Sequence, residues 1–270
     1  MVQGDRAWTY DVTGESVGIF GSFARAFVLL VTVLQAPSAV AEDGKLTLLY
    51  SDLAPYVTAS SKGAQGFLAD HLEAAAGAAG VQLDWSYMPW ENQMPLLRRA
   101  PGNVCAAALF DTPARREFLV FTEAIGKDYG MAVVVRKTDD RISGHTSLAS
   151  LLDDPRLKGV VQVETSYGPF VDPLLEGRDL LVSSGSTPRV LRDLAEGTGD
   201  YLVVSGPTVE FLIPQYGLEG QLEILTDLTD MQDDIFFYIG CTITTDAKVL
   251  TRLNRELRRM GPVCPDGPCR

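Results

Sequence analysis

From Lys45 onward, short apolar segments alternate with amphipathic segments of helical period, and this alternation constrains the fold more than any other feature. Strands that alternate with helices are typical of α/β proteins, in which parallel strands form a sheet and helices cover its faces. The clearest strands are predicted at Leu46–Tyr50, Val104–Phe110 and Tyr201–Val204, and the clearest helices at Phe67–Ala79 and Asp246–Met260. The chain has 270 residues, of which 46% are hydrophobic, and this is enough for one or two packed domains.

The segment Thr112–Arg115, of sequence Thr-Pro-Ala-Arg, directly follows the predicted strand that ends at Phe110. Ligands of open α/β sheets bind at the carboxyl ends of the strands, so this segment puts a hydroxyl group and a cation where a ligand is expected. The guanidinium group of Arg115 is always charged, and its planar fork matches a carboxylate. An ordinary solvated arginine, next to Arg116, is the alternative interpretation of Arg115.

Residues 1–41 have the pattern of an export signal. Arg25 precedes the apolar run Ala26–Leu34, and Ala39-Val40-Ala41 forms a small-residue cleavage site before Glu42. The apolar run of about nine residues is too short to span a bilayer, which needs about 20. We therefore expect a signal peptide over 1–41, a mature chain that begins at Glu42 and a periplasmic protein; a buried amino-terminal helix is the alternative.

Charge and residue usage argue against several classes of function. The formal net charge is −12, and no basic face is evident, so a nucleic-acid partner is not expected. Of the two histidines, His71 lies in a predicted amphipathic helix and His145 in a polar linker, and neither is placed as a catalytic base. Because the sequence also has no nucleophile elbow, metal cluster or phosphate loop, we expect a protein that is not an enzyme and needs no cofactor or metal.

The cysteines predict two disulfide bonds. An even number of cysteines, all in the part that would be exported, is typical of disulfides in an oxidising compartment. Cys264 and Cys269 flank a turn-rich Pro-Asp-Gly-Pro segment that would bring them together. Cys105 is then left to pair with Cys241.

Short motifs follow one another along residues 45–260. They are Asp52–Tyr56, Gly66–Asp70, Met88–Trp90, the run Thr112–Thr122 with its Thr-Pro-x-Arg start, Leu157–Val163 and Leu250–Leu257. In this order they resemble the family 3 solute-binding proteins, the amino-acid type of extracytoplasmic receptor that serves ABC importers. The Thr-Pro-x-Arg segment is the most specific of them.

The resemblance implies a two-lobe, type II periplasmic-binding-protein fold. In this family two α/β lobes are joined by two hinge strands, and the ligand is trapped between them when the hinge closes. Lobe 1 is expected to hold 42–135 and 238–270, and lobe 2 to hold 136–237. The crossings are expected at Met131–Arg136 and Ile235–Ile239.

The resemblance also implies a ligand site. Arg115 would bind a carboxylate with help from the Thr112 hydroxyl group. The loop Thr165-Ser166-Tyr167-Gly168 would add backbone N–H groups at the start of a helix opened by Pro169, and a plain strand-to-helix turn is the alternative. Trp90 and Tyr56 would form aromatic walls. The full set expected to bind the ligand is Asp52, Tyr56, Trp90, Phe110, Thr112, Arg115, Glu164, Ser166, Tyr167, Gly168 and Ser205.

The sequence departs from the family at two places. Amino-acid receptors commonly carry an acidic residue after a lobe 2 strand to pair with the ligand ammonium, and here Ser205 stands at that point. Glu164 or Asp52 could compensate for that charge. Phe110 and Asp111 replace the small hydroxyl-bearing residues usual before the threonine. Both an α-amino acid and a carboxylate without an amine therefore remain open.

The expected function is capture of a small carboxylate-bearing solute, an amino acid or a related compound, by a monomer that delivers it to the membrane permease of an ABC importer. The alternative is the same module used as a soluble ligand sensor that docks on a signalling partner. An enzyme on this scaffold is the third hypothesis, and the sequence argues against it because it has no placed catalytic base and no catalytic motif.

Overall fold

The computed structural model describes residues 44–225, 228–231, 235–264 and 267–269. The predicted signal peptide and its cleavage site lie outside the described residues. The strands are β1 (Lys45–Tyr50), β2 (Thr58–Ser60), β3 (Gly63–Gln65), β4 (Gln82–Tyr87), β5 (Val104–Leu109), β6 (Leu119–Phe121), β7 (Gly126–Asp128), β8 (Met131–Arg136), β9 (Gly159–Gln162), β10 (Leu181–Ser183), β11 (Tyr201–Ser205), β12 (Leu222–Leu225), β13 (Ile235–Thr242), β14 (Val263–Cys264) and β15 (Gly267–Pro268). The helices are α1 (Phe67–Ala79), α2 (Trp90–Leu97), α3 (Pro113–Arg116), α4 (Leu148–Leu152), α5 (Val171–Leu175), α6 (Thr187–Ala195), α7 (Gly206–Gln215) and α8 (Ala247–Met260), with a 3₁₀ turn at Asp140–Ile142.

The first sheet has the strand order β15-β14-β7-β13-β5-β1-β4, with β6 also paired to β13. Its strands β4, β1 and β5 run parallel, as the alternation of strands and helices predicts. The returning strand β13 runs antiparallel to β5 and to β7. The parallel strands therefore end at one edge of this sheet, which is where a ligand site is expected.

The second sheet has the order β10-β9-β11-β8-β12 and repeats this plan. Strands β10, β9 and β11 are parallel, whereas β8 runs antiparallel to β11 and β12 antiparallel to β8. In each sheet the strand that enters the lobe from the other one, β8 or β13, runs against the parallel set, and the strand on its other side, β12 or β7, runs with the set again.

The chain passes from the first sheet to the second between Asp128 and Met131, and returns between Leu225 and Ile235. Two connected α/β lobes of this kind form the type II periplasmic-binding fold. Lobe boundaries at 135/136 and 237/238 stay a prediction. Strand β8 pairs only within the second sheet, and β13 pairs only within the first. We therefore propose boundaries a few residues earlier in the chain, between β7 and β8 and between β12 and β13.

The core of the first lobe lies under α1 and α8. The buried face of α1 is formed by Leu68, Ala69, Leu72, Ala75, Ala76 and Ala79. Helix α8 begins at the N-cap Asp246, whose carboxylate accepts the Lys248 N–H, and buries Val249, Leu253 and Leu257. Beneath them the disulfide Cys105–Cys241 joins β5 to β13, and Cys264–Cys269 closes the carboxyl-terminal turn, so the structure contains both expected pairs.

Candidate functional site

A cavity of about 340 Å³ lies between the two lobes. Its walls come from the segments that follow the parallel strands of both sheets, which matches the rule that open α/β sheets bind ligands at their carboxyl ends. A volume of this size suits a small organic solute. Of the residues expected to bind a ligand, those that line the cavity are Asp52, Trp90, Phe110, Arg115, Ser166, Tyr167 and Ser205.

Arg115 is a buried cation on the cavity wall. It ends the first turn after β5, and its side chain is 7% exposed. Its Nη1 donates to the Phe110 carbonyl oxygen at 2.9 Å and its Nη2 to the Glu164 carbonyl oxygen at 3.2 Å. Burial lowers the pKa of Arg115 to about 10, so the group stays charged at neutral pH. The remaining donors of its fork are available to a carboxylate.

Thr112 does not line the cavity. Its side-chain oxygen accepts the Arg115 backbone N–H at 3.3 Å and so caps the short helix α3, which Pro113 opens. In this structure the hydroxyl group thus has an N-cap role, and its contact with the ligand stays a prediction. Through that cap, Thr112 holds the backbone of Arg115 in place.

The lobe 2 loop that was expected to bind an anion is already occupied by the chain's own carboxylate. Asp172 accepts the Ser166 hydroxyl group and the Tyr167 backbone N–H, both at 2.6 Å, and the Gly168 N–H donates to Ser166 Oγ at 3.2 Å. Helix α5 begins at Val171, later than the predicted start at Pro169. In this structure the N–H groups of Tyr167 and Gly168 are therefore used within the loop, and their contact with a ligand stays a prediction.

Gly168 has a different function in the fold. Its φ is +93°, and a Cβ atom there would stand 2.5 Å from Cδ1 of Ile235 on the strand that returns to lobe 1. A side chain at this position would thus be strained by its backbone conformation and would collide with β13. Gly168 allows close approach of the two lobes next to the cavity.

The aromatic rings of Trp90, Phe110 and Phe237 contribute apolar walls to the cavity. The Arg115 guanidinium carbon lies 5.7 Å from the centre of the Trp90 ring, close enough for a cation–π contact. Phe110 stacks on Phe237 with ring centres 5.1 Å apart. The Trp90 ring thus shields one side of the buried cation from water and strengthens its interaction with an anion.

Tyr56 is a core residue and does not line the cavity. It is fully buried, and its ring lies 4.8 Å from Phe237 and 5.2 Å from Phe67 on α1. Its ring therefore supports the aromatic wall from behind, which corrects the expected direct contact. Burial raises the pKa of Tyr56 far above its ordinary value, so the hydroxyl group stays neutral.

Glu164 lies outside the cavity and joins the lobes at its rim. Its two carboxylate oxygens accept hydrogen bonds from Arg98 Nη1 at 3.1 Å and Nη2 at 2.9 Å. The hydrogen bonds from Arg98 lower the pKa of Glu164. Because Arg98 already neutralises this carboxylate, the structure does not support Glu164 as the group that compensates for the missing lobe 2 acid.

Asp52 lies on the exposed side of the cavity. Its Oδ1 accepts the Ala59 N–H at 2.7 Å, and the Tyr87 hydroxyl group donates to Oδ2 at 3.5 Å. Asp52 is solvated, so its charge is screened by water. Its contact with the polar end of a ligand stays a prediction.

Ser205 and Asp128 form the buried polar end of the cavity. Asp128 closes β7, is fully buried and lines the cavity, and its Oδ1 accepts the Gly130 N–H at 3.2 Å. Burial raises the pKa of this carboxyl group to about 6, while the nearby hydroxyl groups of Ser205 and Tyr56 act to lower it. The hydroxyl groups of Ser205 and Tyr56 thus lie beside the Asp128 carboxyl group, within reach for a hydrogen bond to it.

Sequence reasoning missed several residues of the cavity. The run Ser183–Thr187 between β10 and α6 lines the cavity, and its many hydroxyl groups after a predicted strand were a usable signal. Asp128 gave no such signal, because it lies within a short strand next to Lys127 and Tyr129. The other missed lining residues include Tyr87, Gln162, Thr208 and Phe237.

Among the described residues, none of the helices combines the length and apolar character needed to cross a bilayer. Those residues also contain no group of three or more His, Cys, Asp or Glu side chains that could hold a metal ion.

Comparisons with solved structures find the same fold elsewhere. The chain is similar to a truncated, arginine-bound form of ArgBP from T. maritima, with 19% identity, a TM-score of 0.62 and coverage of 81% of this chain and 97% of that one. It is also similar to a histidine kinase sensor domain related to periplasmic binding proteins, with 19% identity, a TM-score of 0.64 and coverage of 81% and 92%. A third likeness is to a substrate-binding protein of an ABC uptake transporter from Streptococcus pneumoniae with bound histidine, at 18% identity, a TM-score of 0.63 and coverage of 80% and 86%.

At these identities the likenesses bear on the fold alone. Comparison of the sequence with curated proteins gives no match. The family model for bacterial extracellular solute-binding proteins, family 3, matches residues 47–261, which include the second sheet, most of the first sheet and all the residues that line the cavity. The chain therefore belongs to the bacterial extracellular solute-binding proteins of family 3.

Proposed function

We propose that this protein captures a small carboxylate-bearing solute, an amino acid or a related compound, in the cavity between its lobes. The observation that carries the proposal is Arg115, a charged guanidinium group that is 7% exposed on the wall of a cavity of about 340 Å³. A buried cation with free donors is costly unless an anion binds it, and a carboxylate matches its geometry. The cavity volume limits the ligand to a small molecule.

The contacts across the cleft support a capture mechanism in which the two lobes close around the bound ligand. Trp90 and Arg98 of the first lobe bond to the segment Val163-Glu164 of the second, and Arg115 donates to the Glu164 carbonyl oxygen. A ligand held by groups on both lobes would shift the open–closed equilibrium toward this closed arrangement. Binding and closure are then one coupled step.

A thermal-shift screen of the full chain against amino acids and small organic acids tests the proposal, with calorimetry on the compounds that raise the melting temperature. We expect Arg115→Ala to weaken binding of the compound found by about 30-fold to several thousand-fold, because loss of a buried charge partner costs about 2–5 kcal/mol. Arg116→Ala is the matched control, since Arg116 is exposed and pairs with Asp111. If both variants bind the compound as tightly as the wild type does, the proposed role of Arg115 in the site is wrong.

We propose that the captured solute is delivered to the permease of an ABC importer by an exported, periplasmic monomer. Membership of an extracellular family and the two disulfides support export. Uptake of the labelled ligand by cells that lack the gene is expected to fall, and the mature chain is expected to begin at Glu42 by mass spectrometry. Unchanged uptake, or an intact 1–41 segment on the exported protein, would contradict this proposal.

A sensory role is the second candidate, and the likeness to a histidine kinase sensor domain favours it. In that case deletion of the gene would leave ligand uptake unchanged and would abolish a transcriptional response to the same ligand. The two measurements together separate transport from sensing.

A further inference from the structure

Helix α8 is a positively charged element of an acidic protein. Its 14 residues include five of the chain's 23 lysines and arginines but only one of its 35 aspartates and glutamates. The helix therefore has a formal charge of +4, and the rest of the chain has −16, since the whole chain has −12. This local excess of cations distinguishes α8 from the rest of the molecule.

Four of the cations lie along one face of the helix, and we call them the α8 stripe: Lys248, Arg252, Arg255 and Arg259. Their spacing of four, three and four residues keeps them within about 60° of one another around the helix axis, over a length of about 16 Å. The buried side chains of α8 lie on the other side of the helix. The stripe thus runs along the outer face of α8.

The charge of the α8 stripe is only partly neutralised. The Glu256 carboxylate accepts hydrogen bonds from Arg255 Nε at 3.1 Å and from Arg259 Nε at 2.9 Å, so one acid is shared by two cations that are 69% and 66% exposed. The side chains of Lys248 and Arg252 have no acidic partner among the described residues. The N-cap carboxylate of Asp246 is bonded to the backbone N–H of Lys248. The stripe therefore keeps more positive charge than its neighbours offset.

The stability of the helix does not explain this arrangement. Cations are favourable in the last turn of a helix, at the negative end of its dipole, and Arg259 lies there. Lys248 lies in the first turn instead, where the positive end of the dipole repels it. Arg252 Nε is buried without a hydrogen-bond partner among the described residues, which is also unfavourable. Since both placements cost stability, they indicate a role outside the fold.

An anionic surface is the complement of the stripe, and its surroundings favour a lipid surface over a protein. Interfaces between proteins have an apolar core, but no large apolar side chain of α8 is exposed. An anionic bilayer offers many mobile headgroups, which attract clustered cations without a matched apolar patch. Charges more than about 8 Å away are screened at physiological salt, so the acidic remainder of the protein opposes this contact only weakly.

We propose that the α8 stripe binds the anionic surface of a lipid bilayer. No residue of α8 lines the cavity between the lobes. The contact therefore concentrates the protein at a membrane without using any residue of the ligand site. This inference does not depend on which ligand the cavity binds.

Co-sedimentation with lipid vesicles tests the proposal. One set of vesicles is phosphatidylcholine alone, and the other is equal parts of phosphatidylcholine and phosphatidylglycerol. The protein is purified after export and its amino terminus is verified by mass spectrometry, because the apolar run Ala26–Leu34 of an unprocessed chain would itself bind lipid. We expect the wild type to bind the mixed vesicles at low salt, to dissociate from them at high salt and not to bind phosphatidylcholine.

The variant Lys248→Gln/Arg255→Gln/Arg259→Gln removes three cations of the stripe. Each cation near an anionic surface is worth about fivefold in binding, so this variant should bind the mixed vesicles about 30-fold to 100-fold more weakly than the wild type. Circular dichroism melts establish that it is folded. If it is not, Lys248→Gln alone carries the test, with an expected loss of about fivefold.

The matched control is Arg156→Gln/Arg178→Gln/Arg189→Gln. It loses the same charge from exposed arginines of the second lobe, each paired with an aspartate, and should bind as the wild type does. Equal losses in the control and in the α8 variant would show that net charge, and not the stripe, governs binding, and would overturn the proposal.

Other outcomes also overturn it. The proposal is wrong if the wild type binds the two kinds of vesicle equally, if it binds neither, or if its binding to the mixed vesicles persists at high salt. If the wild type binds neither vesicle but sediments with native membranes, and the α8 variant does not, the partner of the stripe is an acidic protein surface and not lipid.

Discussion

The indole Nε1 of Trp90 donates a hydrogen bond to the backbone carbonyl oxygen of Val163, 3.0 Å away on the other side of the cavity. Trp90 begins helix α2 beside the first sheet, and Val163 directly follows β9 of the second. The same ring faces the Arg115 guanidinium group, so a single side chain connects the buried cation to the closure of the cleft.

Trp90→Phe should therefore weaken ligand binding mainly by easing the opening of the cleft. The phenyl ring keeps an aromatic wall next to Arg115 but removes one hydrogen bond between the lobes, worth about 0.5–1.5 kcal/mol, or about twofold to 12-fold in affinity. Stopped-flow measurement should assign the loss to faster ligand dissociation. Trp85→Phe is the control, since Trp85 Nε1 donates to Glu73 within the first lobe, and an equal effect of both substitutions would contradict the role of Trp90.

Arg98→Ala should weaken binding modestly and in a manner that depends on salt. The Arg98–Glu164 pair spans the lobes with bidentate geometry, but its side chains are 46% and 30% exposed, so we expect about 0.2–1 kcal/mol, or less than about sixfold in affinity. Calorimetry at low and high ionic strength should show the difference from the wild type shrinking as salt screens the pair. Arg99→Ala, whose side chain bonds to its own helix at Pro95, should have no such effect.

Arg115→Lys should bind a carboxylate ligand about tenfold or more weakly than the wild type. An ammonium group cannot both satisfy the carbonyl oxygens of Phe110 and Glu164 and present a planar fork to the ligand. Calorimetric titration with the compound identified by screening measures the loss. Wild-type affinity in a folded Arg115→Lys protein would mean that point charge, and not bidentate geometry, is what the site requires.

Asp128→Asn should stabilise the protein without ligand at neutral pH but not in acid. The pKa of Asp128 is raised to about 6, so the folded protein binds more protons than the unfolded chain between about pH 4 and pH 6. Stability from the protonated carboxyl group is thus present below about pH 4 and lost as pH rises through 6, by up to about 3 kcal/mol. Tyr56, which faces it, stays neutral throughout because burial raises its pKa.

Urea unfolding of wild type and Asp128→Asn at about pH 4, 5.5 and 7.5 measures this difference. Carboxylates such as Asp139, whose pKa is lowered by Arg141, contribute equally to both proteins and cancel. Curves that run parallel over the whole range would show that Asp128 titrates as an ordinary exposed carboxyl group.

Removal of Cys105–Cys241 should destabilise the protein more than removal of Cys264–Cys269. The first bond closes a loop with a sequence separation of 136 and the second one of 5. In the chain-entropy model the two bonds are worth about 5 and about 2 kcal/mol. Urea unfolding of the two double Cys→Ser variants checks the order, and the reverse order would contradict it; ligand affinity should be the same in both, because none of these cysteines lines the cavity.

The positions of the strands and helices could be predicted from the sequence because they depend on local patterns. The amphipathic period of α8, its N-cap Asp246 and the following Gly261 are all encoded within one short segment. Arg115 could be placed at the cavity for the same reason, since it lies one turn after a buried strand. The cysteines could be paired because one pair is close along the chain, which left the other two.

The exact set of residues that form the site could not be predicted, because it depends on which segments meet across the cleft. Tyr56 belongs to an aromatic motif, yet packing against Phe237 from β13 buries it behind the wall. The carboxylate of Glu164 is paired with Arg98, which stands 66 residues earlier in the sequence. In each case the deciding partner is distant in sequence, and local pattern carries no information about it.

The sequence by itself determined the family, the α/β elements and the buried arginine at the end of a parallel strand, because hydrophobic period, turn chemistry and strand ends are local properties. Only the tertiary structure decided where charge is left unbalanced. Asp128 stands in a short strand with nothing to mark it, and it becomes a buried carboxylate beside Ser205 because β11 pairs with β8, which begins three residues after Asp128. Burial and electrostatic environment arise from three-dimensional neighbours, so the polarity of the cavity is a property of the folded chain.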